Sequence, residues 1–269
     1  MRVILTVMLC VAAFFCRAQT VHTPIAAVYT GLGAYSTAHT NTFSFTRNQA
    51  AIANTKNISL GVYGEKRFML QNLGLYQFAA IVPTTSGNFG LKGGYFGGPD
   101  YNEAQIGLAY GRNLGSKVSV GAQFNYNSFR INTYGNASSV NFEAGAIFHV
   151  TPQLHTGIHA YNPLGSKLGK NEEERLPSIY TFGLGYEPSE ALLISAEIRK
   201  TEDLPIDVNA GLQYIIDKKI IANAGISSGT STFYFGAGIV LKDFQIDAVA
   251  TVHPQLGITP GIMLLFNGK

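Results

Sequence analysis

Two histidines on neighbouring predicted strands are the first candidates for chemistry in this chain. His149 and His155 flank the short segment Val150–Leu154, and the alternation on either side of it predicts two antiparallel strands joined by a tight turn. Directly opposed residues in such a pair have Cβ atoms about 5 Å apart, close enough to share a proton or a metal ion. His159 lies about 13 Å further along its strand and cannot join them. No carboxylate or third ligand lies nearby in sequence, so we expect a polar surface without a metal or cofactor.

The remaining charged residues of the strands point to structural rather than catalytic roles. Glu197 and Arg199 lie two residues apart, on the same face of one predicted strand, and we expect them to pair. No GxSxG, HExxH or P-loop motif is present, and six scattered histidines give no support for a Ser/His constellation. We therefore expect a protein that is not an enzyme. The candidate polar interior residues are Glu143, His149, His155, His159, Glu197, Arg199 and Asp247.

These residues belong to a long series of alternating segments. From about Ile58 to Phe266 roughly fourteen segments of about ten residues place apolar residues at every second position, and no helical period interrupts them. For example, Val118 to Tyr126 alternates Val, Val, Ala, Phe and Tyr with Ser, Gly, Gln and Asn. The series predicts an all-β fold, a transmembrane antiparallel β-barrel of about 14 strands whose apolar set faces lipid and whose other set faces a polar lumen. The alternative is a soluble β-sandwich or barrel with a two-sided core.

The N-terminus predicts export. Met1-Arg2 precedes the apolar run Val3–Phe15, which is too short to span a bilayer as a helix. We expect a signal peptide over residues 1–18, cleaved after Ala18. The chain's two cysteines lie within that segment, so disulfides and thiolate chemistry are not expected. Loss of Arg2 and Arg17 lowers the formal charge from +3 to +1, too little for a nucleic-acid partner.

Turn lengths and aromatic residues predict how the barrel is oriented. Most connections after even-numbered strands are tight and most after odd-numbered strands are longer. Outer-membrane barrels have short periplasmic turns and longer outer loops, so we expect the outer membrane of a Gram-negative bacterium, with both termini in the periplasm. Aromatic residues recur near the strand ends, as two interfacial belts require. The longest loop is charged and is the candidate for contact with a partner on the outer surface: Lys170, Glu172, Glu173, Glu174 and Arg175.

The segment over residues 19–57 differs from the rest. It is rich in Thr, Ala and Asn and alternates poorly. Asn48 can cap a short helix through Ala50–Ala53. A segment before the first strand can fold into the lumen as a hatch, or it can be a loosely ordered leader, and both interpretations stay open. The predicted organisation is thus a signal peptide (1–18), a hatch segment (19–57) and the barrel (58–269).

Several short motifs resemble one family. Asn48-Gln49-Ala50-Ala51 resembles the Asn-Pro-Ala-Ala/Gly hatch signature of the FadL/PorV superfamily of fourteen-stranded outer-membrane proteins, with Gln49 where that family usually has Pro. Asn162-Pro163-Leu164-Gly165, Gly183-Leu184-Gly185-Tyr186 and the stretch from Leu241 to Ala248 look like the PorV/PorQ branch of Bacteroidota. The resemblance covers most of the chain after the signal, although the loops are shorter than in typical members.

The resemblance implies one of two functions. PorV-like proteins are accessory components of type IX protein secretion, which would give this chain secretion-system proteins or exported cargo as partners. FadL-like proteins are channels that pass small hydrophobic compounds through a plugged barrel, which would give it a small apolar ligand. A lumen pocket lined by Phe and Leu would favour the channel, whereas a wholly polar or packed lumen would exclude it.

Overall fold

A computed structural model of the protein describes residues 29–133, 135–169 and 174–268. Before the barrel, residues 29–57 contain three short 3₁₀ helices, Tyr29–Tyr35, Ser44–Thr46 and Gln49–Asn54, and a fourth, Arg67–Met69, follows the first strand. The strands of the described residues are β1 (Ser59–Lys66), β2 (Gly74–Thr84), β3 (Gly87–Gly97), β4 (Tyr101–Leu114), β5 (Val118–Ile131), β6 (Gly135–His149), β7 (Leu154–Tyr161), β8 (Lys167–Leu168), β9 (Glu174–Arg175), β10 (Ile179–Ser189), β11 (Leu192–Thr201), β12 (Asp207–Ile216), β13 (Ile220–Ser227), β14 (Thr232–Leu241), β15 (Phe244–His253) and β16 (Gly257–Asn267).

Fourteen of these strands form one closed antiparallel barrel. Each barrel strand pairs with the barrel strands before and after it, so that β7 pairs with β10, and β1 pairs with β16 to close the ring. The short strands β8 and β9 form a separate two-stranded sheet in the connection from β7 to β10. Closure leaves no unpaired sheet edge, which is the requirement for strands in hydrocarbon. The predicted fold class is confirmed.

Alternate residues of the strands face the inside and the outside of the barrel. Along β5, the side chains of Gln123, Asn125 and Asn127 are buried, while those of Phe124 and Tyr126 are exposed on the outer surface. The same alternation recurs on the other barrel strands, so the outer surface carries a large set of exposed Phe, Tyr, Leu, Ile and Val side chains. An apolar outer surface is expected of a barrel that lies in the hydrocarbon core of a membrane. No helix in the part of the chain that the structure describes is long and apolar enough to cross a membrane.

The two ends of the barrel differ. We call the end where β1 begins and β16 ends the terminal end, and the other the loop end. The β2–β3, β4–β5, β6–β7 and β10–β11 turns lie at the terminal end, and the β1–β2, β13–β14 and β15–β16 connections lie at the loop end. The predicted signal peptide and the loop residues Lys170, Glu172 and Glu173 lie outside the described residues. Glu174 and Arg175 form β9.

Candidate functional site

The lumen is occupied by the chain that precedes β1. We call residues 29–54 the luminal segment. Its first 3₁₀ helix contacts β7, β10, β11 and β12, and its third contacts β3 to β6 across the lumen. Tyr35, Phe43, Phe45 and Ile52 are fully buried, and burial raises the pKa of the Tyr35 phenol well above its ordinary value. The segment therefore crosses the lumen from one wall to the other.

Inward-facing glycines make room for the luminal segment. A Cβ atom at Gly121 would meet the backbone of Gln49, and one at Gly185 would meet the carbonyl of Tyr35. Only glycine permits so close an approach of two backbones without displacement. Glycine at these strand positions is therefore part of the fit between the wall and the segment.

Asn48 ties the segment to the wall. Its Oδ1 accepts a hydrogen bond from the Ala50 amide at 3.0 Å, which caps the 3₁₀ helix as the sequence predicts. Its Nδ2 donates to the carbonyl oxygens of Ala146 and Ile158 at 3.3 and 3.1 Å. Gln49, Ala50 and Ala51, the other predicted hatch residues, are fully buried. The Asn48 side chain thus hydrogen-bonds to backbone groups of both the luminal segment and the barrel.

Glu143 is the centre of a buried polar network. Glu143 is 1% exposed. Its carboxylate accepts hydrogen bonds from five side chains, which belong to β3, β5, β7 and the luminal segment. A buried carboxylate is stable only when its oxygens are paired in this way. The partners are Lys92 at 3.2 Å, Gln123 at 2.9 Å, Asn125 at 2.7 Å, His159 at 3.0 Å and Gln49 at 2.7 Å. The network therefore joins the wall to the luminal segment.

The two histidines lie at the terminal end. His149 and His155 are opposed in register, with 3.0 Å between their Nδ1 atoms. Only one of two facing Nδ1 atoms can donate, so a single proton lies between the two Nδ1 atoms. The sequence shows no carboxylate near them, but the barrel brings Glu187 of β10 to 3.3 Å from His155 Nε2. This carboxylate is distant in sequence and is adjacent to His155 only through strand pairing. Within the described ranges, no cluster of three or more metal-ligating side chains is present.

Glu187 also holds the luminal segment. Its carboxylate accepts hydrogen bonds from the Thr37 amide at 2.9 Å, the Ala38 amide at 3.1 Å and the Thr37 hydroxyl at 3.0 Å. The Ser36 hydroxyl donates to it as well. Glu187 itself is 6% exposed. This single carboxylate therefore satisfies two backbone N–H groups that have no secondary-structure partner.

Glu197 and Arg199 do not pair with each other. Arg199 Nη2 donates to Asp207 at 2.7 Å, and Arg47 Nη1 of the luminal segment donates to Glu197 at 3.2 Å. Asn209 Nδ2 bridges the two carboxylates, at 3.0 and 3.2 Å. The expected pair is wrong because Asp207 lies directly opposite Arg199 across the β11–β12 ladder, and opposed residues are closer than residues two apart on one strand.

Part of the lumen is apolar. A buried cluster joins Phe43 and Phe45 of the luminal segment to side chains of β2 and β16, among them Leu75, Met263 and Leu265. The expectation of a polar lumen is therefore wrong on this side of the barrel. The apolar side chains of the segment require apolar partners. Asp247, the remaining predicted interior residue, is buried and accepts hydrogen bonds from Gln245 at 3.0 and 2.9 Å.

A cavity of about 480 Å³ opens between the luminal segment and the loop end. Thr46 and Arg47 of the segment line it on the inner side. Its walls combine apolar, hydroxyl and charged groups, a mixture typical of sites for small molecules, and its volume lies within their usual range. Wall residues include Phe68, Ile179, Leu256, Thr181, Thr232, Thr251, Thr259, Glu65, Arg67, Glu143, His159 and Arg199.

Sequence reasoning missed several charged residues of the lumen. Glu65, Lys92 and Asp207 occupy inward positions of β1, β3 and β12. A charged residue in phase with the polar set of a strand was the available signal for all three. Glu187 carries the same signal, since it is in phase with the inward set of β10. Arg47 carries none, because its partner is set by the path of the segment through the lumen.

The closed barrel of 14 antiparallel strands has the fold of FadL-type hydrocarbon channels of the outer membrane. It is similar to the toluene transporter TodX of Pseudomonas putida, with a TM-score of 0.63 and 11% identity over 88% of this chain and 98% of that one.

The toluene transporter TbuX of Ralstonia pickettii has a TM-score of 0.61 and 11% identity, over 85% of this chain and 94% of that one. The monoaromatic hydrocarbon channel CymD has a TM-score of 0.60 and 13% identity, over 90% of this chain and 97% of that one. No protein-family model and no curated protein matches the sequence. At these identities the likeness concerns the fold.

Proposed function

We propose that the protein is a channel of the outer membrane that passes small, mainly apolar organic compounds through a lumen gated by residues 29–54. In this proposal it is a transport protein and has no catalytic activity. Support comes from the fold it shares with channels for toluene and other monoaromatic hydrocarbons. The proposed membrane location rests on the same fold and on the apolar outer surface of the barrel.

The observation that carries the proposal is the cavity at the loop end. Its 480 Å³ exceed the space that a few ordered waters need, and Phe68, Ile179 and Leu256 supply apolar wall. The lumen is thus neither packed throughout nor wholly polar, the two conditions that would exclude a channel for such compounds. A compound that enters from the loop end meets Thr46 and Arg47 at the inner boundary.

The luminal segment is the proposed gate. It fills the lumen beyond the cavity and is held by polar contacts, at Asn48, Gln49 and Glu187, rather than by apolar burial alone. Polar contacts of this kind can be exchanged for water one at a time. Movement of the segment would connect the cavity to the terminal end.

The secretion-partner function implied by the family resemblance has less support. Its candidate contact surface is the charged loop, of which Lys170, Glu172 and Glu173 lie outside the described residues. The channels with the same fold act on hydrocarbons, as their names state. We therefore extend only the channel function to this chain.

The test is uptake of radiolabelled toluene by a Gram-negative laboratory host that produces the protein. Thr232 lines the cavity, and the neighbouring Phe233 faces outward with 49% exposure. Thr232→Trp fills the cavity, so we expect initial uptake to fall to the level of cells that lack the protein. Phe233→Trp adds a similar ring on the outer face and should leave uptake unchanged. Equal uptake by the two folded variants, or no uptake by the unaltered protein, would contradict the proposal.

A further inference from the structure

In the ion pairs around the cavity, the cationic side chain is more exposed than its anionic partner. The Arg67 side chain is 33% exposed and its partner Glu65 is 7% exposed, and Arg199 is 23% exposed while Asp207 is 9% exposed. In both pairs the guanidinium lines the cavity and the carboxylate is the more enclosed partner. The surface that a ligand meets is therefore cationic, although the pairs are neutral as a whole.

The acidic groups that line the cavity are already saturated. Glu65 accepts hydrogen bonds from Arg67 at 2.9 Å and from the Tyr63 hydroxyl at 2.7 Å. Glu143 is enclosed by its five donors, with Lys92 and His159 among them. Neither carboxylate presents an oxygen that needs a further donor, so neither favours a cationic ligand.

Arg199 keeps donor capacity beyond its hydrogen bond to Asp207. A guanidinium has five N–H donors, and Arg199 uses one N–H of Nη2 for Asp207 at 2.7 Å. Its Nε is enclosed by protein and cannot reach a ligand. The side chain is 23% exposed and lines the cavity, so the donors left for a ligand are Nη1 and the second N–H of Nη2. Arg47 also lines the cavity, and its Nη1 is paired with Glu197, which Asn209 links to Asp207.

Apolar groups face the cavity from other parts of its wall. Phe68 of the β1–β2 connection and Leu256 of the β15–β16 connection line it, and six threonines and Ser231 supply short hydroxyl side chains around it. A ligand with an anionic group at Arg199 would place an uncharged body against these side chains. A planar carboxylate matches the guanidinium fork by two parallel hydrogen bonds.

We propose that the cavity binds small organic carboxylates, with the carboxylate at Arg199 and the apolar body toward Phe68 and Leu256. This rests on the proposed function and adds to its mainly apolar substrates those that carry one carboxylate. Arg199 then has two roles: it pairs with Asp207 in the wall, and its remaining donors select the ligand.

The test compares benzoate with benzamide, which have nearly the same shape and differ in charge. Binding to the purified protein in a zwitterionic detergent is measured by calorimetry. We expect benzoate to bind at least tenfold more tightly than benzamide, and the difference to shrink as salt is added. Equal affinities, or no benzoate binding, would overturn the proposal. This comparison uses the unaltered protein, so it decides the question even if a variant fails to fold.

A pair of variants locates the site. Arg199→Gln removes the charge and should weaken benzoate binding at least tenfold while leaving benzamide binding within about twofold. Lys218→Gln removes a charge from a side chain that is 91% exposed, in the β12–β13 turn at the opposite end of the barrel, and should have no effect. Benzoate binding unaffected by Arg199→Gln would overturn the assignment. If toluene uptake proceeds and benzoate does not bind, the channel function stands and only the carboxylate selectivity fails.

Discussion

Removal of the Glu187 carboxylate should release the luminal segment from the wall. Glu187→Ala leaves the Thr37 and Ala38 amides, now bonded at 2.9 and 3.1 Å, without an acceptor. Thr37 and Ala38 are exposed, so water can replace the lost acceptor, and the loss is the net contribution of two hydrogen bonds at about 0.5–1.5 kcal/mol each. The closed position of the segment therefore loses about 1–3 kcal/mol. The segment should therefore open locally while the barrel, which has its own ladder of backbone hydrogen bonds, stays folded.

Hydrogen–deuterium exchange at residues 36–38 measures this opening. Since each 1.4 kcal/mol is a tenfold change in an equilibrium, we expect protection of these amides to fall by a factor of about 5 to about 140. The matched control is Glu190→Ala, which removes the same charge close by in the β10–β11 turn, where Glu190 is 89% exposed. Unchanged protection in Glu187→Ala, or an equal loss in Glu190→Ala, would refute the reasoning that this carboxylate anchors the segment.

Two further perturbations test the fit of the segment and the polar network. Gly121→Val places a side chain against the Gln49 backbone and should displace the segment, which we expect to raise single-channel conductance in planar bilayers. Gly93→Val, where an added Cβ atom meets nothing within 4 Å, should not, and equal conductance would contradict the proposed obstruction. Glu143→Leu leaves Lys92 buried without its acid and should destabilise the barrel by about 3–5 kcal/mol in denaturant unfolding. The double variant with Lys92→Met should recover much of that loss, and no recovery would mean that the pair is not the cause.

The sequence determines the barrel because a strand has a period of two. Gln123, Asn125 and Asn127 alternate with Phe124 and Tyr126, and a strand must place these two sets on opposite faces. The hairpin register also follows from the sequence where a turn is short. His149 and His155 flank such a turn, and the structure places them opposite each other. Local spacing was sufficient in both cases.

The contacts between distant residues were not accessible in this way. Glu187 reaches His155 across 32 positions of sequence and the luminal segment across about 150, and Arg47 reaches Glu197 across 150. The expected Glu197–Arg199 pair failed for a different reason: Asp207, eight positions from Arg199, lies directly opposite it across the β11–β12 ladder. The contacts of the luminal segment depend on where that segment enters the lumen.

The sequence by itself thus determined the strand series, the outward apolar set and the Asn48 cap, because each depends on neighbours within about ten residues. The tertiary structure alone decided that residues 29–54 cross the lumen, that one side of the lumen is apolar, and that Arg199 faces a cavity with its carboxylate partner behind it. Alternation states only that a side chain faces inward. What it meets there depends on the curvature of 14 strands and on the chain enclosed by them.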